Sequence, residues 1–363
     1  MEINKSQKIA IIGTVGVPAI YGGFETLAEY LTQYLGKHYD LRVYCSSKSY
    51  PKQIADYNNA KLVYLPLNAN GVQSIIYDML AIIMALRYAD TLLILGVSGC
   101  TILPWVKLFS RKKIIVNIDG MEWRRHKWGK FAKWFLKFSE KLSVKYADVV
   151  ITDNQVIKDY VLSEYGVNST LIAYGGDHAV AAPLTKKVLS LYPYLAGEYA
   201  FTVCRIEPEN NLHIILAAVA SQDKVPLVLV GNWQASQYGR DLYTRYLDSM
   251  YIHLLDPIYD QALLNQLRSN CLVYLHGHSA GGTNPSLVEA MCLGLPIFAF
   301  AVDYNQETTE HAAQYFSDAD GLKDLLVNTS KDSLLVNGKA MSDIASRRYQ
   351  WQGIVGQYAE LLG

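Results

Sequence analysis

Residues able to hold an anion and hydroxyls together fall close in sequence within His276–Gly294, H-G-H-S-A-G-G-T-N-P-S-L-V-E-A-M-C-L-G. The preceding run, Cys271–Leu275, is short, apolar and rich in β-branched and aromatic residues, which predicts a buried strand. Gly281, Gly282 and Thr283 then form a loop, with Asn284 as N-cap and Pro285 as first helical residue. The helix reaches about Leu293, where Gly294 and Pro296 stop it. A strand, a glycine loop and a capped helix start aim free backbone N–H groups and a positive helix end at one spot, which suits an anion. Ser286 and Glu289 lie one turn apart on a shared face, so Glu289 reaches whatever is held there. A carboxylate beside a phosphate makes sense when it accepts from hydroxyls, and a ribose diol next to a diphosphate satisfies both groups. The same pattern also describes an ordinary strand–loop–helix unit with Glu289 solvated.

A cation suited to the same anion is Arg205. It ends the predicted strand Tyr199–Cys204 and precedes I-E-P-E-N-N and a helix over Leu212–Ala220. At a strand end beside a helix start, a guanidinium can grip phosphate in bidentate fashion. The competing role is a surface ion pair with Glu207 or Glu209.

The elements that must position these groups alternate as strand and helix along the whole chain. Lys8–Gly13 reads as the first strand of a parallel sheet, followed by a glycine-rich loop and a helix from about Phe24 to Leu35. Strands follow at Leu41–Cys45, Lys61–Leu65, Leu92–Leu95, Lys113–Ile118, Asp148–Thr152 and Ser169–Ala173, with a helix over Ile75–Arg87. After a turn-rich hinge at Tyr174–Asp177 the pattern restarts, with strands at Leu227–Gly231, His253–Asp256 and Leu295–Ala301 and a loop at Asp303–Glu307. This predicts an α/β fold of two Rossmann-like, doubly wound domains, whose ligands sit at the carboxyl ends of the strands. The expected domains are 1–176 and 177–340, with 341–363 a helix that crosses back onto the first domain. The first loop, with Gly13, Gly16, Gly22 and Gly23, does not fit G-x-G-x-x-G, which argues against a nicotinamide dehydrogenase.

Composition narrows the function classes. The 363 residues suit two domains, and 51% hydrophobic with 18% charged content excludes a disordered chain. Formal net charge is zero, so no global field attracts nucleic acid. Five cysteines in mostly apolar surroundings read as buried thiols of a reducing compartment. No C-x-x-C or histidine cluster has metal-ligand spacing, so no metal is expected. No signal-peptide pattern or membrane-spanning run is recognisable, and the expected location is cytoplasmic.

Trp123–Leu142 reads as a basic amphipathic helix. Trp128, Phe131, Phe135, Phe138 and Leu142 share one stripe, and Lys130, Lys133, Lys137 and Lys141 another. Such a helix can lie in a membrane interface and attract anionic lipid, or it can pack its aromatics on its own sheet. The adjoining Arg124, Arg125, His126 and Lys127 are not needed for packing and suit an acceptor diphosphate.

The strings Y-G-G-F-E-T, D-G-M-E-W, R-I-E-P-E-N-N and G-G-T-N-P-S-L-V-E-A-M together resemble the retaining GT-B glycosyltransferases of family four, over nearly the whole chain. Within it they look like a bacterial subgroup of rhamnosyltransferases that build capsule or cell-wall polysaccharide. The resemblance implies transfer of L-rhamnose from dTDP-β-L-rhamnose to a sugar on undecaprenyl diphosphate. It implies peripheral attachment at the inner membrane face and no cofactor beyond the nucleotide sugar. Family members carry two glutamates eight positions apart, the second on the nucleotide ribose. Glu289 matches the second; the first falls on Gly281, a departure that removes the usual contact with the donor sugar. Arg205 matches the family's diphosphate arginine, whereas the lysine that follows falls on about Asn210, which retains only a neutral amide donor. Gly22 and Gly23 match the place where the backbone approaches the donor diphosphate and acceptor, or they belong to a flexible crossover loop. Asp119 stands where the family often has an acceptor-side histidine, as base or orienter, or else it caps the next helix. Glu122, Arg124, Arg125, Lys127, Trp128 and Lys130 are the acceptor or membrane candidates. By the same analogy Pro257–Tyr259 faces the base, and Glu307 is a weaker candidate for touching the donor sugar. Other readings are a UDP-hexose transferase of the same fold, a nucleotide-sugar epimerase, and a membrane-docked assembly factor without activity.

Overall fold

The computed structural model describes residues 7–20, 22–118, 120–124 and 128–363. The chain divides into two compact units, one of Met1–Tyr174 with Trp351–Gly363, the other of Gly175–Gln350.

In the first unit the order is β1 (Lys8–Ile12), α1 (Gly23–Leu35), β2 (Asp40–Ser46), β3 (Asp56–Tyr57), β4 (Ala60–Leu65), α2 (Gln73–Ala85), β5 (Thr91–Leu95), α3 (Leu103–Phe109), β6 (Lys113–Ile118), α4 (Lys130–Tyr146), β7 (Val149–Thr152), α5 (Gln155–Tyr165) and β8 (Thr170–Leu171). They form one sheet in the order β3-β4-β2-β1-β5-β6-β7-β8. Every neighbouring pair is parallel except β3–β4. Central strands such as β5, T-L-L-I-L, are buried along their whole length, the signature of a sheet covered on both faces. Leu27, Ala28, Leu31 and Leu35 repeat at helical spacing and set α1 against Ile9, Ile11, Val43 and Leu93.

The second unit runs α6 (Lys186–Leu191), β9 (Ala200–Val203), α7 (Leu212–Ala220), β10 (Leu227–Val230), α8 (Gln237–Tyr246), β11 (Ile252–Leu255), α9 (Gln261–Ser269), β12 (Val273–His276), α10 (Pro285–Cys292), β13 (Ile297–Phe300), α11 (Asp303–Thr308), β14 (Gln314–Phe316), α12 (Ala319–Asn328) and α13 (Lys331–Arg348). Its sheet is parallel throughout, in the order β11-β10-β9-β12-β13-β14. Strand order reverses between β9 and β12, and in such sheets a crevice opens beyond the carboxyl ends of those two strands.

The final helix, α14 (Trp351–Leu362), belongs to the first unit. Trp351 stacks on Tyr30 at 4.2 Å between ring centroids, and Tyr358 OH accepts from Asn117 Nδ2 at 2.7 Å. The chain's end is therefore two helices. Met341–Arg348 complete α13 of the second unit, and the break at Tyr349 and Gln350 separates it from α14.

Other elements differ from the sequence expectation. Asp303–Glu307, expected as loop, is the body of α11, and the short β3 and β14 carry too few residues for a periodic signal. The expected helix Trp123–Leu142 is a 3₁₀ turn at Glu122–Arg124 followed by α4 from Lys130. Its buried side is Leu136, Ser139, Glu140, Ser143 and Val144, so Phe131, Trp134 and Phe138 face outward instead of packing on the sheet.

Candidate functional site

In the second unit, the loops after β9 and β12 meet at the point where strand order reverses. Asn211 Nδ2 donates to the Gly277 carbonyl at 2.9 Å, and both the backbone N–H and the hydroxyl of Ser279 donate to the Glu209 carbonyl, at 2.8 and 2.9 Å. Gly277 lies so close to Asn210 that a Cβ there would sit 2.1 Å from the Asn210 carbonyl oxygen, which only glycine tolerates. Asn305 Nδ2 donates to the His278 carbonyl at 2.8 Å and ties the same loop to α11. Arg205 and Gly281–Glu289 are thus carried on one cross-linked pair of loops.

Asn210 sits at the centre of this pair. Its Nδ2 donates to the Arg205 carbonyl at 2.6 Å, which leaves Oδ1 to accept from His278 Nδ1 at 2.8 Å. One of its two N–H groups is committed to shaping the loop, which leaves a single N–H for a ligand. The bond to Oδ1 assigns the His278 proton to Nδ1. The guanidinium of Arg205 is exposed and, among the described residues, pairs with neither Glu207 nor Glu209.

Asn284 caps α10, its side chain accepting from Ser286 N at 3.0 Å, with Pro285 as first helical residue. The Ser286 hydroxyl also donates to Asn284 Oδ1, at 2.8 Å, and so reinforces the cap. Thr283 and Gly282 are buried beneath the loop. Gly281 adopts φ 124°, a region that side chains other than glycine rarely enter. A side chain placed here would strain that backbone.

One turn into α10, Glu289 binds Arg268 of α9 through Oε2, while His178 Nε2 lies 3.0 Å from its Oε1. Arg268 is wholly buried and also donates to Asn265 Oδ1 at 3.3 Å, whereas the Glu289 side chain keeps 16% of its surface exposed. Burial alone would raise the Glu289 carboxyl; Arg268 and His178 outweigh it and hold the group at about 2. A fixed carboxylate with spare lone pairs can still accept from a diol. His276, on the last residue of β12, is buried with Nε2 lacking a hydrogen-bond partner, and burial lowers its imidazole to about 3. Glu307 is taken up by Arg348, at 2.5 Å, rather than presented to the loop.

In the first unit two side chains of α1 reach back to the loop after β1. Glu25 Oε1 accepts from Val15 N at 2.9 Å and, one helical turn on, Glu29 Oε2 accepts from Ala19 N at 2.8 Å. Gly22, at φ 134°, is the N-cap of α1 and Gly23 its first residue. Near the carboxyl end of β6, Glu122 Oε1 accepts from Trp128 Nε1 at 3.0 Å, so it is not merely solvated. Arg124 lies over the Trp123 ring, 5.1 Å from its centroid, and Lys130 is exposed at the start of α4. Asp119, Arg125 and Lys127 lie outside the described residues.

Residues 194–343 match the family described as glycosyl transferases group 1. The second unit carries a glycosyltransferase domain. Residues 6–177 match a domain of unknown function, DUF1972. No curated protein matches the chain. Among solved structures, sucrose-phosphate synthase from Thermosynechococcus elongatus is similar at TM-score 0.82 and 17% identity, covering 98% of both chains. Anabaena HepE in complex with UDP and glucose is similar at TM-score 0.76 and 16% identity, covering 98% of this chain and 99% of that one. The α,α-trehalose 6-phosphate synthase from Burkholderia multivorans is similar at TM-score 0.73 and 12% identity, covering 98% and 96%. These likenesses establish the GT-B fold.

In this glycosyltransferase, three residues of the site were not singled out from sequence. Arg268 and His178 are separated from Glu289 by 21 and 111 positions, and nothing in their local pattern marks them as its partners. His278 was visible only as a histidine at a strand end, because its partner Asn210 lies 68 positions away.

Proposed function

We propose that this glycosyltransferase moves L-rhamnose from dTDP-β-L-rhamnose, with retention of configuration, onto a sugar carried by undecaprenyl diphosphate at the inner face of the cytoplasmic membrane. The observation that carries the donor half of this reading is the cross-linked loop pair at the β9/β12 switch point. It offers an exposed, unpaired Arg205 and the capped N-terminus of α10, both suited to a diphosphate, with the Glu289 carboxylate behind them for a ribose. The specific sugar and lipid rest on the resemblance carried by the four sequence strings.

Chemically, such a site acts by stabilising a leaving group. As the bond from the anomeric carbon to the diphosphate oxygen breaks, negative charge grows on that oxygen, where Arg205 and the backbone N–H groups of Gly282, Thr283 and Asn284 would stabilise it. The acceptor hydroxyl adds to the same face of the sugar, and its proton passes to the departing phosphate oxygen. Asp119 would orient that hydroxyl, or would take its proton in place of the phosphate oxygen. Gly22 and Gly23 allow close backbone approach to the donor and acceptor. Glu122, Arg124, Arg125, Lys127, Trp128 and Lys130 would hold the lipid diphosphate.

A second reading, transfer from a UDP-hexose, is favoured by the similarity in fold to HepE, whose structures contain UDP or UDP-glucose. Incubating the protein with a panel of nucleotide sugars and a synthetic lipid-diphosphate sugar, then weighing the product, separates the two. A gain of one deoxyhexosyl unit from dTDP-rhamnose alone supports the first reading, and a hexosyl gain from a UDP donor replaces it with the second. Donor turned over without any acceptor would indicate an epimerase, and vesicle binding without nucleotide binding an assembly factor.

A further inference from the structure

Nearly half of the large apolar side chains exposed among the described residues lie on α2, α3 and α4 of the first unit, three helices that make up a small part of the chain. On α2 the outward residues Ile76, Leu80, Ile83 and Met84 follow helical spacing, so one complete face is apolar and uncovered. On α3, Trp105 and Phe109 are 64% and 79% exposed and stack on each other at 6.4 Å. On α4, Phe131 and Trp134 are 77% and 61% exposed, and Trp134 stacks on Phe138 at 5.9 Å. α3 packs on α4, and a groove of about 620 Å³ between α2 and α3, lined by Ile83, Leu86, Trp105 and Phe109, joins the first two helices. Arg111 and Lys112 stand at its end.

The exposed charge carried by the three helices themselves is positive. The three helices contain only two carboxylates, Asp78 and Glu140, and both are buried. Their outward ionisable groups are lysines, among them Lys130, Lys133, Lys141 and Lys145, in a chain of zero formal net charge. Ion pairs from Lys107 to Asp148 at 2.6 Å and from Lys112 to Asp90 at 3.6 Å fix the far end of α3 to the sheet. An apolar, aromatic surface whose helices carry lysines and no exposed carboxylate complements an anionic lipid monolayer, which accepts Trp and Phe below its headgroups and lysines among them. Among the described residues no helix is long and apolar enough to cross a membrane, so this contact is interfacial.

We propose that α2, α3 and α4 together form the membrane-docking face, with the Trp105–Phe109 pair as the part that enters the acyl layer and Arg111 and Lys112 at the headgroups. This rests on the peripheral membrane reading above but assigns the contact to a three-helix face centred on the α2–α3 groove, rather than to the basic helix around α4.

The test is co-sedimentation of the full chain with phosphatidylcholine vesicles and with vesicles in which roughly a third of the lipid is phosphatidylglycerol. The full chain is compared with the variants Trp105→Ser/Phe109→Ser, Phe131→Ser/Trp134→Ser and Arg111→Ser/Lys112→Ser. The unaltered chain should bind the anionic vesicles, and the first variant should weaken that binding about tenfold or more. The Arg111/Lys112 variant should lose part of the preference for anionic lipid, and the melting temperatures of the two aromatic variants should be unchanged. Vesicle binding lost only in the Phe131/Trp134 variant would overturn the three-helix face while leaving peripheral attachment standing. No binding of the unaltered chain to either vesicle would overturn both. A dimer in light scattering that the Trp105/Phe109 variant disperses, without vesicle binding, would assign the face to a second copy of the chain.

Discussion

The carboxylate of Glu289 is bound to Arg268, a guanidinium with no solvent exposure. The group proposed to hold the ribose is therefore also the counter-charge of a buried cation, and the two roles can be separated experimentally. Removing one partner of a buried pair leaves an uncompensated charge and costs about 3–5 kcal/mol. Glu289→Ala should destabilise the second unit by that order in denaturant unfolding and weaken dTDP binding as well. Glu289→Gln keeps a hydrogen-bond acceptor for Arg268 and should lose less stability. A Glu289→Gln protein with unaltered nucleotide affinity would leave Glu289 a structural residue only.

Arg205 offers the opposite case. Its guanidinium has no partner among the described residues, so Arg205→Ala should leave the melting temperature unchanged. Turnover should fall roughly a hundredfold or more, the scale seen when one group stabilising a developing anion is removed. A lower melting temperature with normal turnover would place Arg205 in the scaffold instead.

Gly281 bears on specificity. Restoring the family's glutamate by Gly281→Glu should not restore the family's sugar contact, because φ 124° strains any side chain. Gly281→Ala alone should cost about 1–2 kcal/mol by the same strain. An unchanged unfolding midpoint for Gly281→Ala would show that the loop relaxes freely.

Acid should unfold the second unit in two overlapping stages. The buried His276 imidazole, lowered by burial to about 3, stays neutral in the folded chain while the unfolded chain takes up a proton below its ordinary 6.5. Stability from this group is therefore present above 6.5 and drains away between 6.5 and 3, at up to about 1.4 kcal/mol per pH unit. Glu289, held at about 2 against burial by Arg268 and His178, contributes above its ordinary 4.5 and loses that contribution as pH falls toward 2. Denaturant midpoints measured from pH 8 to pH 4 should be flat, then decline below about 6.5. His276→Asn should flatten the upper part of the decline, and an identical slope in that variant would assign it elsewhere.

Among the described residues no group of three or more His, Cys, Asp or Glu side chains is placed to hold a metal ion. With Arg205 and a helix start offered to the leaving group, a chelator should leave the transfer rate unchanged. Abolished activity restored by a divalent ion would mean that the leaving diphosphate relies on a metal.

Much of the fold was legible because parallel strands buried on both faces are written as uninterrupted apolar runs. Lys113–Ile118 appears in the structure with the bounds read from sequence, and the cap and first residue of α10 follow directly from Asn284-Pro285. Local chemistry could not reveal partners far apart in the chain. Arg268 looks like any arginine ending an amphipathic helix, and nothing local to Asn210 shows that His278 and the Arg205 carbonyl engage its side chain. The aromatic stripe of α4 left two readings open for a related reason. Periodicity shows that residues share a face, but which face meets the sheet is settled by packing, and small residues such as Ser139 and Ser143 took the inner side.

The most direct test is calorimetric titration of dTDP into the unaltered chain and into Arg205→Ala. The account predicts saturable binding by the first and about tenfold weaker binding by the second, at equal melting temperature. Equal affinity in both, or no binding to the unaltered chain by dTDP or UDP, would contradict a diphosphate held at the β9/β12 loops.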